Sequence, residues 1–134
     1  MLWDSSYETG IREIDEQNFD LVGHIETMMN PDNNRSRFER LVNFERLAKR
    51  YFENEQALHG ECGYEHAEKH EFIHRNYLRR LRRMRDNFIE SGPTLRNEMI
   101  FIKDVLEALK KHIQDHDRHF AEFYLENAES AEAL

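Results

Sequence analysis

The sequence has one cysteine, Cys62, with two prolines and five glycines among 134 residues. A lone cysteine excludes an internal disulfide and points to a reducing compartment, so the expected location is cytoplasmic. Scarce proline and glycine leave few places where a helix must break. No stretch approaches the roughly 20 apolar residues that a membrane span needs, and a membrane is not an expected partner. The opening residues, MLWDSSYETG, carry neither the basic nor the apolar region of a secretion signal. Basic charge is short too: 19 Lys and Arg against 27 Asp and Glu give a net charge of −8. So acidic a chain makes nucleic acid a poor candidate partner.

What remains is rich in helix formers and aromatics, with nine Phe, five Tyr and one Trp to fill a core. The length suits one domain, residues 1–134. Residues 1–10 read as an arm anchored by Trp3 and Tyr7, with Gly10 as its pivot. Ile11, Ile14, Asn18, Leu21, Val22, Ile25 and Met28 recur at three- and four-residue steps, which predicts a first helix over 11–29 with one inward stripe. The run Asn30-Pro31-Asp32-Asn33-Asn34 stops it. Ser36 with Glu39 forms a capping box for a second helix, whose buried face runs from Phe38 through Tyr51 and Glu55 to Leu58, and which Gly60 and Gly63 bracket at its end. A third helix is expected over about 65–89. Ser91-Gly92-Pro93 precedes a fourth, with Leu95, Met99, Ile102, Val105, Leu109, His112 and Ile113 inward. Phe120 to Leu125 read as a short apolar tail segment that packs back. Four helices with short links predict an all-α, up-down-up-down four-helix bundle with an N-terminal arm and a short C-terminal helical segment.

Eight histidines is a high count for this length. His70 and His74, four apart, leave one helix face about 6 Å from each other, the geometry two imidazole ligands need. Surface helices often carry such a pair, so alone it is weak evidence. His112 and Asp117 are five apart, a step that turns a straight α-helix by roughly 140°, and both reach one ion only if the helix ends or unwinds between them. Gln114, Asp115 and His116 lie there, polar enough for a fraying last turn. Glu55 sits among apolar neighbours, where a lone carboxylate is costly without a cation or a partner. Glu55, His70, His74, His112 and Asp117 are therefore the expected metal ligands, with no separate catalytic residue.

With these residues in hand, the chain resembles the hemerythrins, in particular bacterial hemerythrin-like domains. The likeness spans nearly the whole sequence: Trp3, Tyr7 and Gly10; Ile14-Asp15-Glu16-Gln17, where the family has I-D-x-Q-H; Tyr51-Phe52-Glu53-Asn54-Glu55-Gln56 against H-F-x-x-E-E; Gly63-Tyr64 and His70-x-x-x-His74; and His112-Ile113-x-x-x-Asp117 against H-I-x-x-x-D. The resemblance implies a non-haem iron site in which Glu55 and Asp117 are the bridging carboxylates and His70, His74 and His112 serve the three-histidine iron. The second iron would need histidines where this chain has Asn18 and Tyr51. His59 stands at the place of a common Met and Ala108 at that of a usual Trp, with Tyr51 expected to fill part of the space.

The expectation is thus one iron ion, with Zn(II) or Mn(II) as alternatives that such donors do not exclude. One iron would bind or react with dioxygen, a reactive oxygen species or nitric oxide, in sensing or detoxification, with weak oxidase- or peroxidase-type activity as the enzymatic form. A reversible oxygen carrier is disfavoured, because two-electron reduction of dioxygen to bound peroxide uses both family irons. One alternative keeps two irons, with Tyr51 or His59 as substitute ligand; another is a metal-free interaction module. Asn18 is expected to hydrogen-bond Tyr51 or Glu55. A monomer or weak homo-oligomer is expected, and the sequence identifies no redox partner. The arginines from Arg75 to Arg85 read as a solvated face, and His24, His66, His116 and His119 as surface or supporting groups.

Overall fold

The computed structural model describes residues 3–29, 37–91 and 95–133, all of them helical apart from the arm and short turns. The Asn30-to-Asn34 turn, the Ser36 cap, the Gly92-Pro93 break and the side chains of Phe38 and Leu95 lie outside the described residues. The helices are α1 (Arg12–Met29), α2 (Arg37–Cys62), α3 (Ala67–Ser91), α4 (Leu95–Lys111) and α5 (Arg118–Ala133), with α4 and α5 joined through a π-helical segment, His112–Asp117. Helix α1 packs on α2, α2 on α3, α3 on α4 and α4 on α1, a closed cycle of neighbours around one interior. Among the described residues no helix is long and apolar enough to cross a membrane.

The inward stripes match the periodicity. Ile14, Asn18, Leu21, Val22, Ile25 and Met28 are all buried on α1, as are Leu41, Phe44, Ala48, Phe52, Glu55 and His59 on α2. Helix α3 buries His70, His74, Tyr77 and Leu81, and α4 buries Ile102, Val105 and Leu109. Met99 departs from the expectation: it is 43% exposed, beside the half-exposed Ile100, so the inward stripe of α4 begins only at Ile102. On α3, Arg75, Arg79, Arg80, Arg82 and Arg83 are exposed, while Arg85 is paired with Glu45 of α2 at 2.9 Å.

The arm is more structured than a bare tether. Asp4 accepts from the Ser6 backbone N–H and caps a short 3-10 turn, Ser5–Tyr7. Trp3 stacks on Tyr7 with centroids 5.1 Å apart, and Tyr7 is buried. The Asp15 carboxylate then accepts from the backbone N–H groups of Thr9 and Gly10 at 2.8 and 3.1 Å, holding the arm against the start of α1. Gly10 supplies the pivot with φ +91°, a conformation that other residues adopt at a cost.

Two helix ends position the site. Gly60 lies inside α2 rather than at its end, which falls at Cys62. Gly63, at φ +64°, makes the left-handed turn that follows. The Gly63 N–H then donates to Gly60 O and the Tyr64 N–H to His59 O, a Schellman closure that lays Tyr64 over His59. Of the two outcomes expected between His112 and Asp117, an end or an unwinding, the structure shows the unwinding. Between His112 and Asp117 the chain neither frays nor stops: Lys111 and Arg118 both keep α-helical dihedrals, and the Arg118 N–H donates to Ile113 O, five residues back. With no glycine or proline from Leu95 to Ala133, the helix absorbs one extra residue and continues. The C-terminal segment is therefore a 16-residue extension of α4, burying Phe120 and Ala121 while Leu125 stays 42% exposed.

Candidate metal centre

The π turn solves the five-residue problem. It takes about 4.4 residues per turn, so His112 and Asp117 end roughly 50° apart instead of 140°. Both are buried and face the interior. Helix α3 supplies His70 and His74 from successive turns, and α2 supplies Glu55. One ligand atom from each of Glu55, His70, His74, His112 and Asp117 lies within 4.8 Å of all the others. The structure thus gathers all five expected residues, and among the described residues this is the single such group.

Glu55 and Asp117 each face more than one ring. Nε2 of His70 is 2.9 Å from Oε1 of Glu55 and 3.5 Å from Oδ1 of Asp117. Nε2 of His112 is 3.2 Å from Oδ1 of Asp117, and Nε2 of His74 is 3.7 Å from Oε1 of Glu55. Yet none of these five atoms makes a hydrogen bond of acceptable geometry with any described residue. They aim at a common point rather than at one another. Buried polar atoms left so are expensive, and a cation at that point satisfies them together. Donors about 2.1 Å from an ion lie at most about 4.2 Å apart, close to the spacing found. Nitrogen and oxygen donors without sulfur suit iron, zinc or manganese.

The buried rings differ in how readily they hold a proton. Burial and the neighbouring His112 and His70 rings push His74 down to about 2, so its ring is neutral. Burial also opposes charge on His70, but the adjacent Asp117 and Glu55 carboxylates outweigh it and raise the group to about 9. Asp117 is held well below its usual range, its burial overcome by His112 and His70. Phe52 lies flat on His74, with centroids 4.2 Å apart and planes 1° from parallel, which fixes that ring.

The positions of the expected second metal behave differently. Asn18 is buried, but it bonds neither Tyr51 nor Glu55. Its Nδ2 donates to Oδ2 of Asp117 at 3.0 Å. Tyr51 is half-buried and its hydroxyl donates to Asp20 of α1, which together with burial raises the phenol to about 12. Beside Ala108 a surface pocket of about 180 Å³ opens between Tyr77, His112 and His116. His59 is fully buried, with Nε2 3.4 Å from Oε1 of Glu55 and neither ring nitrogen hydrogen-bonded to a described residue. Asp20 and Phe52 were not singled out from the sequence. Asp20 could have been found by asking which α1 residue shares a face with Tyr51. No protein-family model matches this sequence, and none of the curated proteins matches it.

Proposed function

We propose that this chain is a hemerythrin-like, up-down-up-down four-helix bundle that holds one non-haem iron between α2, α3 and the π turn. The closed cycle of helix contacts supports the architecture. The observation that carries the function is the convergence of five buried ligand atoms that leave one another unbonded. A single redox-active ion held there supplies one-electron chemistry toward dioxygen, nitric oxide or peroxides. The chain's own residues do the rest. Glu55 and Asp117 neutralise the ion, Phe52 fixes the His74 ring, and Asn18 holds the outer oxygen of Asp117 away from a second metal. Sensing or detoxification of such a small ligand, with weak oxidase- or peroxidase-type activity, is the role these features favour, in a reducing compartment such as the cytoplasm.

Anaerobic loading with Fe(II), followed by metal analysis and an anomalous-scattering map, tests the reading. One ion on the five named residues is expected. Two fully occupied ions, or an empty interior despite ample iron, would overturn it. A two-iron reading draws support only from His59, buried beside Glu55 with neither ring nitrogen hydrogen-bonded to a described residue. Tyr51 lends it none, since its hydroxyl is taken by Asp20. A metal-free interaction module would leave most of the cluster's ligand atoms without a hydrogen bond, and the cost of that burial weighs against it.

A further inference from the structure

A second group of histidines lies outside the buried centre and is not used by it. His66, on the turn before α3, and His119, on α5, are both exposed, with ring centroids 5.4 Å apart and planes at 56°. Two imidazoles bound to adjacent positions of one ion have centroids about 5 Å apart, so the pair is spaced for a shared cation. The Tyr64 hydroxyl is 2.5 Å from Nδ1 of His119. That contact orients the ring, and with Nδ1–H donating to the phenol oxygen, Nε2 presents its lone pair outward, the arrangement usual for a ligating histidine. His66 has Glu65 as its nearest carboxylate, with Nε2 3.5 Å from Oε1.

These two rings stand at the mouth of a pocket of about 230 Å³ whose lining also includes Asp115, His116 and His70. His70 belongs to the buried five. His116 is half-buried between the mouth and the centre, its ring 6.1 Å from His70 and 5.6 Å from His112. Imidazoles thus continue from the surface to the interior. Lys69 is the one ammonium in the lining, which also holds the Asp115 carboxylate, so the mouth is not a cationic barrier.

We infer that His66 and His119 form an outer binding site for a divalent transition-metal ion, from which the ion passes along His116 to His70 and the buried centre. The delivery half of this inference rests on the proposed function; the outer site does not. Imidazole pairs of this kind favour Zn(II), Co(II), Ni(II) or Fe(II) over Mg(II) or Ca(II). Capture at the mouth holds the ion next to the path inward and so should speed filling of the buried centre.

The experiment uses the metal-free full chain and Co(II), with equilibrium dialysis for the number of ions and stopped-flow absorption for the rate of entry. The wild type should bind one ion tightly and a second weakly. The His66→Gln/His119→Gln double variant, altered only at exposed positions, should lose the weak ion, keep the tight one, and fill it at least tenfold more slowly. Equal rates and equal ion numbers in the two proteins would overturn the inference. Loss of the weak ion without any tight one in the wild type would uphold the outer site and instead refute the single-ion reading of the centre.

Discussion

Nδ2 of Asn18 donates to Oδ2 of Asp117 at 3.0 Å, across α1 and the π turn. The amide therefore holds the one Asp117 oxygen that faces away from the His112 and His70 contacts, which both involve Oδ1. A histidine at position 18 would compete for that oxygen's surroundings as a donor to a second ion, whereas an amide satisfies it without metal.

Placing imidazole at positions 18 and 51 should therefore change metal number. Asn18→His/Tyr51→His is expected to raise the iron-to-protein ratio from one toward two after anaerobic loading, measured by metal analysis. Asn18→Ala alone should leave the ratio at one and cost about 1–2 kcal/mol of stability, by freeing a buried carboxylate oxygen. A ratio fixed at one in the double variant would show that something other than ligand loss limits the site.

The His70 shift gives a pH dependence with a definite sign. Its folded value, about 9, lies above the ordinary 6.5. The imidazolium thus stabilises the metal-free fold fully below pH 6.5, and that contribution is lost as pH rises through 9. Metal needs the neutral ring, so uptake at pH 7 should release a proton from His70. Calorimetric titration in buffers of different ionisation enthalpy should detect it, and apparent affinity should climb between pH 7 and 9 before levelling. The melting-temperature gap between loaded and metal-free protein should widen over the same window. Affinity independent of pH there would contradict the assignment.

Tyr51 should be spectroscopically silent. Its phenol is pushed up to about 12, first by burial and then by Asp20, and so stays protonated at neutral pH. Iron-loaded wild type and Tyr51→Phe should have the same visible spectrum, with no tyrosinate-to-iron band in the difference. The variant should lose under about 1 kcal/mol, the value of one half-exposed hydrogen bond. A visible band that vanishes in Tyr51→Phe would bring this residue back to the metal.

The helices and the five gathered residues were legible because period and burial agree. Glu55 could be read as a buried carboxylate from its apolar neighbours alone, and His70 and His74 from a four-residue step. The π turn was not legible, since a five-residue spacing fits a fraying end as well as a widened turn. The missing clue was negative, the lack of any glycine or proline between Leu95 and Ala133. The partner of Tyr51 was hidden for a different reason. Tyr51 lies four residues before Glu55, on the same side of α2, and only a partner on another helix, Asp20, draws its hydroxyl away from the centre. Exposure of Met99 was not legible either, since periodicity marks a face of the helix and not how far along it that face is covered.

His59 offers the sharpest separation between metal-free and loaded states. The ring is wholly buried and neither nitrogen is hydrogen-bonded to a described residue, so it burdens the metal-free fold. Met has similar length and no such requirement. His59→Met should therefore stabilise the metal-free protein by about 1–2 kcal/mol, read from urea midpoints. In the loaded protein the balance should reverse. Nε2 of His59 lies 3.4 Å from Oε1 of Glu55, near enough to steer that carboxylate or to meet the ion itself. Losing a group that orients a ligand costs roughly 10- to 100-fold in metal affinity, and a drop of that size is expected in competition with a chelator. If the exchange destabilises the metal-free protein instead, His59 has a partner there; if affinity is unchanged, its imidazole is only filling space beneath Tyr64.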